Sequence, residues 1–509
     1  MTSLKDQLQL LSERGTPVGS HELRDRVMLE LASQRASRVG PDRADLGVGV
    51  RLGWRRFPGW MYAGASAAVV VLLVGASVWL SSLAGEGPQP VITQPLITQP
   101  TTPAPTTTPR PDPPTTIPAG GVWQRVGVEV MDPVVGLFDM TEADSRLVAV
   151  GFDPGADFRQ DGVIFVSEDG LTWTRLAEND PALTTGTVLM YGITEGGPGL
   201  VAVGMSCEDN PCEASPYPTV WTSVDGNAWT RSPNEPDVFG TWGAIEDVVA
   251  TDHGIVAAGW LAGSDADDVI WSRPAVWLSP DGAEWTRVWE GERVSGSHAF
   301  LGAVAVSPDG VLVAVGSGQN ELDEPVAAVW TSTDAHLWER VEPNSPAFGD
   351  QTDPNILMPV DVAWGSSGFI AVGGQGGSQV AIWHSPDGRS WTRIETADQP
   401  FGTGGTLGSV AALQSGFVAA GPGFDDFNGP PVPPPVTLWT SVDGSTWNWA
   451  GELGSGSALA IVVTDLRIAV AGQTITGGFA TAAADDYHAA VWQGPTLDPS
   501  APPPEPLQP

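Results

Sequence analysis

The segment 164–175 reads Ile-Phe-Val-Ser-Glu-Asp-Gly-Leu-Thr-Trp-Thr-Arg, and variants of this phrase return five more times along the chain of 509 residues. In all six copies a Trp lies four residues after the Asp, and the copies follow one another at intervals of about 53–56 residues. A fixed period of that length predicts a repeat architecture in which each copy is one supersecondary unit. The Asp-Gly pair between two apolar runs predicts a tight turn between two strands.

A second phrase, a short alternation of small apolar residues ending in Gly, lies between the copies and occurs seven times. These seven runs end at Gly151, Gly204, Gly259, Gly316, Gly373, Gly421 and Gly472. The seventh copy of the first phrase is divided between the two ends of the repeat region, since Trp123-Gln-Arg125 supplies its second half and Ala490-Val-Trp492 its first. Complementary halves predict a ring, whereas an open solenoid would carry capping repeats. We therefore predict an all-β fold, a seven-bladed β-propeller over residues 121–494, closed by pairing of its N- and C-terminal strands, with strand A innermost and strand D outermost in each blade.

The turn motif Ser-x-Asp-Gly-x-x-Trp resembles the Asp-box, or BNR, repeat of the sialidase-like β-propellers, over roughly 370 residues and six turns. The chain departs from the family pattern in having one residue fewer between the Asp and the aromatic residue, and in Ala335 replacing the Gly of the fourth copy. The resemblance implies that the motif Asp residues are structural and lie on the face away from any active site. They are Asp169, Asp225, Asp281, Asp334, Asp387 and Asp443.

The resemblance also implies what a sialidase would need: three Arg for the substrate carboxylate, a Tyr nucleophile with a Glu partner, and an acid/base Asp. Beyond the Arg residues of the repeat, one in the Pro-rich segment and one in a turn, the candidates are Arg146, Arg159, Arg273, Arg293 and Arg467, none in an Arg-Ile-Pro context. The Tyr candidates are Tyr191, Tyr217 and Tyr487. A retaining glycosidase needs two carboxylates about 5 Å apart, and nothing in the sequence selects a pair. We therefore predict no catalytic residue.

Charge is distributed very unevenly. The formal net charge is −37, which argues against nucleic acid as a partner because phosphate recognition needs a basic surface. Residues 1–58 hold 10 basic and 7 acidic residues, whereas the chain beyond them holds 13 Arg and 53 acidic residues. This asymmetry indicates two compartments.

Many of the acidic residues fall in the predicted loops between strands B and C, in six of the seven blades. The candidate binding residues are Asp153, Asp157, Asp161, Asp265, Asp267, Asp268, Asp323, Asp425, Asp426, Asp485 and Asp486. All B–C loops of a propeller emerge on one face, so we expect a ring of carboxylates around one end of the channel. Two interpretations stay open: a solvated rim that aids solubility, or a binding face for a cationic partner or for Ca²⁺. The scattered His residues show no metal-ligand spacing, and no cofactor is identified.

Cys207 and Cys212 are the only cysteines. In a reducing compartment they could form half of a metal site. On an oxidising membrane face we expect a local disulfide.

A run of 24 residues without charge, 60–83, predicts a transmembrane helix within 59–83. Arg51, Arg55 and Arg56 precede it, so the positive-inside rule places the N-terminus in the cytoplasm. The alternative is a cleaved signal peptide, which would have a shorter apolar run and a shorter basic lead. The remaining segments are a cytoplasmic tail with short helices (1–58), a Pro/Thr-rich extracytoplasmic stalk (84–120) and a disordered tail (495–509).

These observations favour a single-pass protein of a bacterial cell membrane that displays a non-catalytic propeller. Its partner would be an extracytoplasmic protein or a glycan, with a cationic partner favoured by the acidic loops. A sialidase-like glycoside hydrolase is one alternative, and turnover of glycans would identify it. A transmembrane regulator of the anti-sigma type, acting through residues 1–58, is the other, and capture of a cytoplasmic partner by that segment would identify it.

Overall fold

The computed structural model describes the chain from Trp123 to Leu497 with internal gaps. The gaps are 127–130, 132–135, 154–159, 209–211, 213–214, 266–268, 296–298, 321–324, 342–345, 349–356, 376–378, 397–398, 400, 402–405, 423–434, 466, 476–486 and 496. The predicted tail 1–58, helix 59–83 and stalk 84–120 lie outside the described residues, as do residues 498–509. Within the described part, no helix is long and apolar enough to cross a bilayer.

The described strands form seven antiparallel sheets, one for each predicted repeat, which confirms the seven-bladed β-propeller. The first three blades are β2–β5 (Gly136–Ala143, Arg146–Asp153, Asp161–Ser167, Thr174–Leu176), β6–β9 (Thr187–Gly196, Gly199–Cys207, Tyr217–Ser223, Thr230–Arg231) and β10–β14 (Gly243–Thr251, Gly254–Ser264, Ile270–Ser279, Thr286–Glu290, Val294–Ser295). The next three are β15–β18 (Phe300–Val306, Leu312–Gln319, Pro325–Ser332, Glu339–Arg340), β19–β22 (Met358–Gly365, Gly368–Gln375, Gln379–Ser385, Thr392–Arg393) and β23–β26 (Ser409–Leu413, Gly416–Pro422, Pro435–Ser441, Asn448–Ser455). Blade 7 has β27–β29 (Ser457–Val463, Arg467–Ile475, Tyr487–Pro495) and the first described strand, β1 (Gln124–Val126).

The ring closes in the seventh blade as the split repeat predicts. Strand β1 pairs antiparallel with β29, with Gln124 opposite Gln493 and Val126 opposite Val491. A strand from the beginning of the repeat region thus becomes the outer strand of the last blade. This pairing joins the two ends of the ring within one sheet.

Apolar packing holds neighbouring blades together. Seven buried clusters each draw residues from two successive blades, and one of them joins blade 7 to blade 1. Both faces of each sheet are therefore covered, which is why the middle strands are rich in Val and Ala on both sides.

The first Trp of the repeat also fastens a blade to the connection that precedes it. The indole Nε1 of Trp221 donates to the Ala182 carbonyl oxygen at 2.9 Å, in helix α1 (Pro181–Thr184). In the next blade Trp277 donates to the Val238 carbonyl oxygen at 2.9 Å, in helix α2 (Pro236–Phe239). In blade 5, Trp383 makes the same bond to Ala347 at 2.8 Å, in the 3₁₀ turn Pro346–Phe348. A large side chain that is both buried and hydrogen bonded explains why Trp recurs at this position.

The turns between strands C and D share one hydrogen-bond pattern, shown here by the first copy. Asp169 Oδ1 accepts from the N–H groups of Leu171 at 2.8 Å and Thr172 at 2.6 Å, and from the Ser167 hydroxyl at 3.1 Å. Trp173 Nε1 donates to the Gly170 carbonyl oxygen at 3.1 Å. Partial burial alone would raise the pKa of Asp169, but the hydrogen bonds that it accepts outweigh burial and lower it. The carboxylate thus satisfies the donors of its own turn.

The fourth turn keeps this geometry although it lacks the Gly. Ala335 adopts φ +61°, close to the φ of +68° to +80° of the Gly in the other five turns. Trp338 Nε1 still donates to the Ala335 carbonyl oxygen, at 3.0 Å. The substitution therefore leaves the turn type unchanged and places an alanine in a left-handed conformation.

We expect Asp169→Ala to destabilise the propeller by about 1–2 kcal/mol, because two backbone donors lose their acceptor. The measurement is the urea midpoint of unfolding. Glu168→Ala is the matched control, since Glu168 is the exposed neighbouring acid. Equal midpoints for the two variants would contradict the role assigned to the Asp169 carboxylate.

Candidate functional site

The inner strands carry a β-bulge close to their first residues. Among the described strands a bulge is present in blades 1, 2, 3, 4, 5 and 7. The bulged residues are Phe138, Tyr191, Glu246, Gly302, Val360 and Leu459. These bulges lie at the end of the inner strand that receives the connection from the preceding blade, on the face of the B–C loops. They therefore form a ring at that mouth of the central channel.

Three of the residues that follow a bulge are aspartates, in blades 1, 3 and 5, and each bridges to the next blade. Asp139 Oδ1 accepts from the N–H of Met140 at 2.7 Å, and Oδ2 accepts from the N–H of Ile193 in blade 2 at 2.7 Å. Inner strands are sheet edges with unpaired N–H groups. One carboxylate thus satisfies a donor on each of two neighbouring edges.

The other two aspartates repeat this arrangement. Asp247 accepts from the N–H groups of Val248 at 2.7 Å and Val304 at 2.8 Å. Asp361 accepts from Val362 at 2.7 Å and Val410 at 2.8 Å. The equivalent positions in the other four blades hold the small residues Gly192, Ala303, Ser409 and Ala460. The carboxylates consequently join blades 1 with 2, 3 with 4, and 5 with 6.

These three side chains keep some exposed surface, as channel-lining groups do, yet protein surrounds them closely enough to disfavour their charge. Burial raises the pKa of Asp139 well above its usual range, and the charges of Asp247 and Asp361 raise it further. Burial likewise raises the pKa of Asp247 to about 7 and that of Asp361 to about 6, against the lowering effect of the hydrogen bonds. Asp247 and Asp361 therefore titrate near neutral pH, and the pKa of Asp139 is shifted in the same direction.

Next to them lies a group that we name the aromatic–acid cluster: Phe138, Phe152, Tyr191, Glu246 and Trp260. Phe138 stacks on Phe152 with ring centroids 5.4 Å apart and meets the edge of Tyr191 at 5.6 Å. Trp260 packs against the same apolar group, and its Nε1 donates to Glu246 Oε1 at 2.7 Å. The cluster draws on blades 1, 2 and 3 at the channel mouth.

Two polar groups of the cluster are strongly perturbed. Tyr191 is 5% exposed, and its hydroxyl is buried without a hydrogen-bond partner among the described residues. Burial raises the pKa of Tyr191 well above its usual range, and the charge of Glu246 adds to this effect. Burial also raises the pKa of Glu246 to about 7, opposed by the bond from Trp260 and reinforced by Asp247. Perturbed groups in a concave site are typical of binding or catalytic sites.

Three members of the predicted acidic ring lie in the described part of the chain. Asp153 and Asp161 face each other at the end of the β3–β4 pair, and Arg175 forms an ion pair with Asp153 at 3.0 Å. Asp265 accepts from the Val269 N–H at 2.9 Å within its own loop. The other predicted members, which lie outside the described residues, are Asp157, Asp267, Asp268, Asp323, Asp425, Asp426, Asp485 and Asp486.

The structure does not assemble the described arginine candidates into one cluster. Arg146 donates to the Asp225 carbonyl oxygen on the face of the C–D turns, at the opposite end of the channel. Arg273, on β12 of blade 3, and Arg293, just before β14, lie over the ring of Trp271 at 5.3 and 4.1 Å from its centroid. A three-arginine site for a carboxylate substrate is thus not formed by these residues.

The two cysteines are joined in a disulfide that closes a short loop after β7, with their Cα atoms 5.5 Å apart. Among the described residues, no group of three or more His, Cys, Asp or Glu side chains is arranged to hold a metal ion.

Sequence reasoning missed the channel carboxylates and the Tyr191–Glu246 pair. A signal exists in the sequence: an Asp followed by an apolar residue lies near the middle of the inner strand of repeats 1, 3 and 5, at Asp139, Asp247 and Asp361. A search at the single-repeat period overlooks a pattern of two repeats. The position of Tyr191 and Glu246 depends on the bulges, which the residue pattern does not reveal.

We expect the melting temperature to fall as the pH rises from about 5 to about 8. Over this range the folded protein retains protons on Asp139, Asp247, Asp361 and Glu246 that the unfolded chain, with carboxyl pKa values near 4, has released. Asp247→Asn should flatten the dependence, while Glu168→Gln, at an exposed site, should leave it unchanged. A melting temperature that rises through this range, or an equal slope in Asp247→Asn, would refute the assignment.

No family model and no curated protein matches the chain. Among solved structures, a Penicillium chrysogenum alpha-L-arabinanase complexed with arabinobiose is 11% identical, with 73% of this chain and 98% of that chain covered and a TM-score of 0.37. The NanB sialidase from Streptococcus pneumoniae is 10% identical, with 70% and 68% covered and a TM-score of 0.36. A puromycin hydrolase is 12% identical, with 69% and 52% covered and a TM-score of 0.43.

Proposed function

We propose that this chain is a single-pass membrane protein that displays its propeller outside the cell for non-catalytic recognition, with the ligand bound at the channel mouth on the B–C face. The anchor is the predicted helix 59–83, with the N-terminus in the cytoplasm, and the stalk 84–120 holds the propeller away from the bilayer. The uncharged run, the arginines before it and the acidic region after it support this arrangement.

One observation carries the recognition proposal: four carboxylates lie close to one another at one end of the channel. Asp139, Asp247, Asp361 and Glu246 lie in the mouth, and the charges of Asp247 and Asp361 raise the pKa values of neighbouring acids among them. No basic side chain of the described residues forms an ion pair with these four. Such a mouth attracts cations and repels anions.

Neutralising Asp265, Asp267 and Asp268 together to Asn should weaken binding of a cationic ligand. A panel of cationic peptides, anionic peptides and neutral glycans is screened on residues 121–495, with and without Ca²⁺, and the affinity of each binder is compared at about 50 and about 500 mM salt. We expect cationic members to bind, and their affinity to fall with salt because the attraction is screened.

The matched control neutralises three exposed acids of the opposite face, Glu168, Glu195 and Glu284, to Gln. This variant should bind like the unmodified protein. Affinities that are unchanged by salt and by the loop substitutions would contradict an electrostatic binding face.

A glycoside hydrolase is the second candidate, and the observation that favours it is Tyr191 beside Glu246, since the family that the turns resemble uses a Tyr with a Glu partner. A panel of aryl glycosides incubated with the purified protein distinguishes the two functions. A recognition module releases no product. A hydrolase releases product and loses this activity in Tyr191→Phe and Glu246→Gln.

A further inference from the structure

The strongest unassigned feature is the buried hydroxyl of Tyr191. A buried polar group without a partner is costly, and native proteins contain few of them. The Tyr191 ring is held by Phe138, Leu189 and Met205, so packing fixes the position of the hydroxyl. Glu246 is the charged group that acts on it. An arrangement that keeps this hydroxyl unpartnered indicates a place for a ligand atom.

The side chains next to this hydroxyl line the channel mouth. Phe138, Glu246 and Trp260 each keep part of their surface exposed, whereas Tyr191 is nine-tenths buried behind them. The accessible wall thus consists of two aromatic rings and one carboxylate. Asp247 directly follows Glu246 and adds negative charge to the same spot.

The chemistry of these groups selects the class of ligand. A carboxylate amid other carboxylates excludes anions, and aromatic rings attract cations through their negative faces. Ca²⁺ requires six to eight oxygen ligands, which aromatic walls do not offer. A guanidinium carries several N–H donors and a flat, weakly hydrated surface that suits both a carboxylate and an aromatic ring. A phenol oxygen accepts a hydrogen bond from such a donor.

We propose that the aromatic–acid cluster binds an organic cation, a guanidinium or ammonium group on an apolar stem. Glu246 accepts its N–H groups, Phe138 and Trp260 contact the stem, and Tyr191 Oη accepts one more hydrogen bond once the side chains that cover it move aside. This inference rests on the recognition function proposed above and specifies its ligand.

The test is titration calorimetry of the full chain with arginine amide and with citrulline amide, which has nearly the same shape but a neutral urea group. We expect arginine amide to bind and citrulline amide to bind at least about tenfold more weakly. Glu246→Gln keeps the acceptor for Trp260 Nε1 and should weaken arginine amide at least about tenfold. Tyr191→Phe keeps the ring and should weaken it about three- to tenfold. Titration with lysine amide tests whether an ammonium group on an apolar stem binds as the guanidinium of arginine amide does.

Equal affinity for the two amides, no binding of either cation, or full affinity in Glu246→Gln would overturn the proposal. Quenching of Trp260 fluorescence by the ligand, lost in Trp260→Phe, provides a second measurement if Glu246→Gln fails to fold.

The variant with Asp265, Asp267 and Asp268 neutralised separates this proposal from the wider proposal of an acidic binding face. If that variant loses arginine amide while Glu246→Gln retains it, the acidic face stands and the cluster site falls. If only Glu246→Gln loses it, the cluster site stands.

Discussion

An exposed edge of a β-sheet presents a row of N–H and C=O groups that need partners, and this constraint governs the whole molecule. A ring of radial sheets has one edge at the channel and one at the rim in every blade. At the seam, the chain supplies β1 as the missing outer strand of blade 7. At the channel, Asp139, Asp247 and Asp361 provide acceptors for the N–H groups of six inner strands. The closing strand β1 and the bridging aspartates thus both supply hydrogen-bond partners to exposed sheet edges.

The bridging aspartates at the channel have an electrostatic consequence. Placing three carboxylates in a narrow channel satisfies backbone donors, but it also brings like charges together where water is scarce. Glu246 adds a fourth acid in the same region. The raised pKa values limit this charge, the two hydrogen bonds that each aspartate accepts offset part of its cost, and a bound cation would offset more. The features that complete the ring therefore also create the field that a ligand would experience.

The fold could be predicted from the sequence because each blade repeats the same physical solution. The Asp-Gly turn, the Trp four residues after the Asp and the divided seventh copy together specify blade number and closure, and the structure confirms both. The site could not be predicted in the same way. Asp139 and Tyr191 occupy positions where the repeats differ, and a one-residue bulge decides which side chain reaches the mouth. A search for the repeat period averages over such differences. It therefore identifies the residues of the scaffold but not the positions at which one repeat differs from the others.

The bridging carboxylates come in three, whereas the blades number seven. The bridging acids thus link six of the blades as three doublets and leave one single blade, and apolar packing joins the doublets to one another. Tyr191 belongs to the first doublet and Glu246 to the second, so the aromatic–acid cluster straddles one of these joints. A molecule bound there would contact both doublets and add a polar link at a joint that no bridging acid spans.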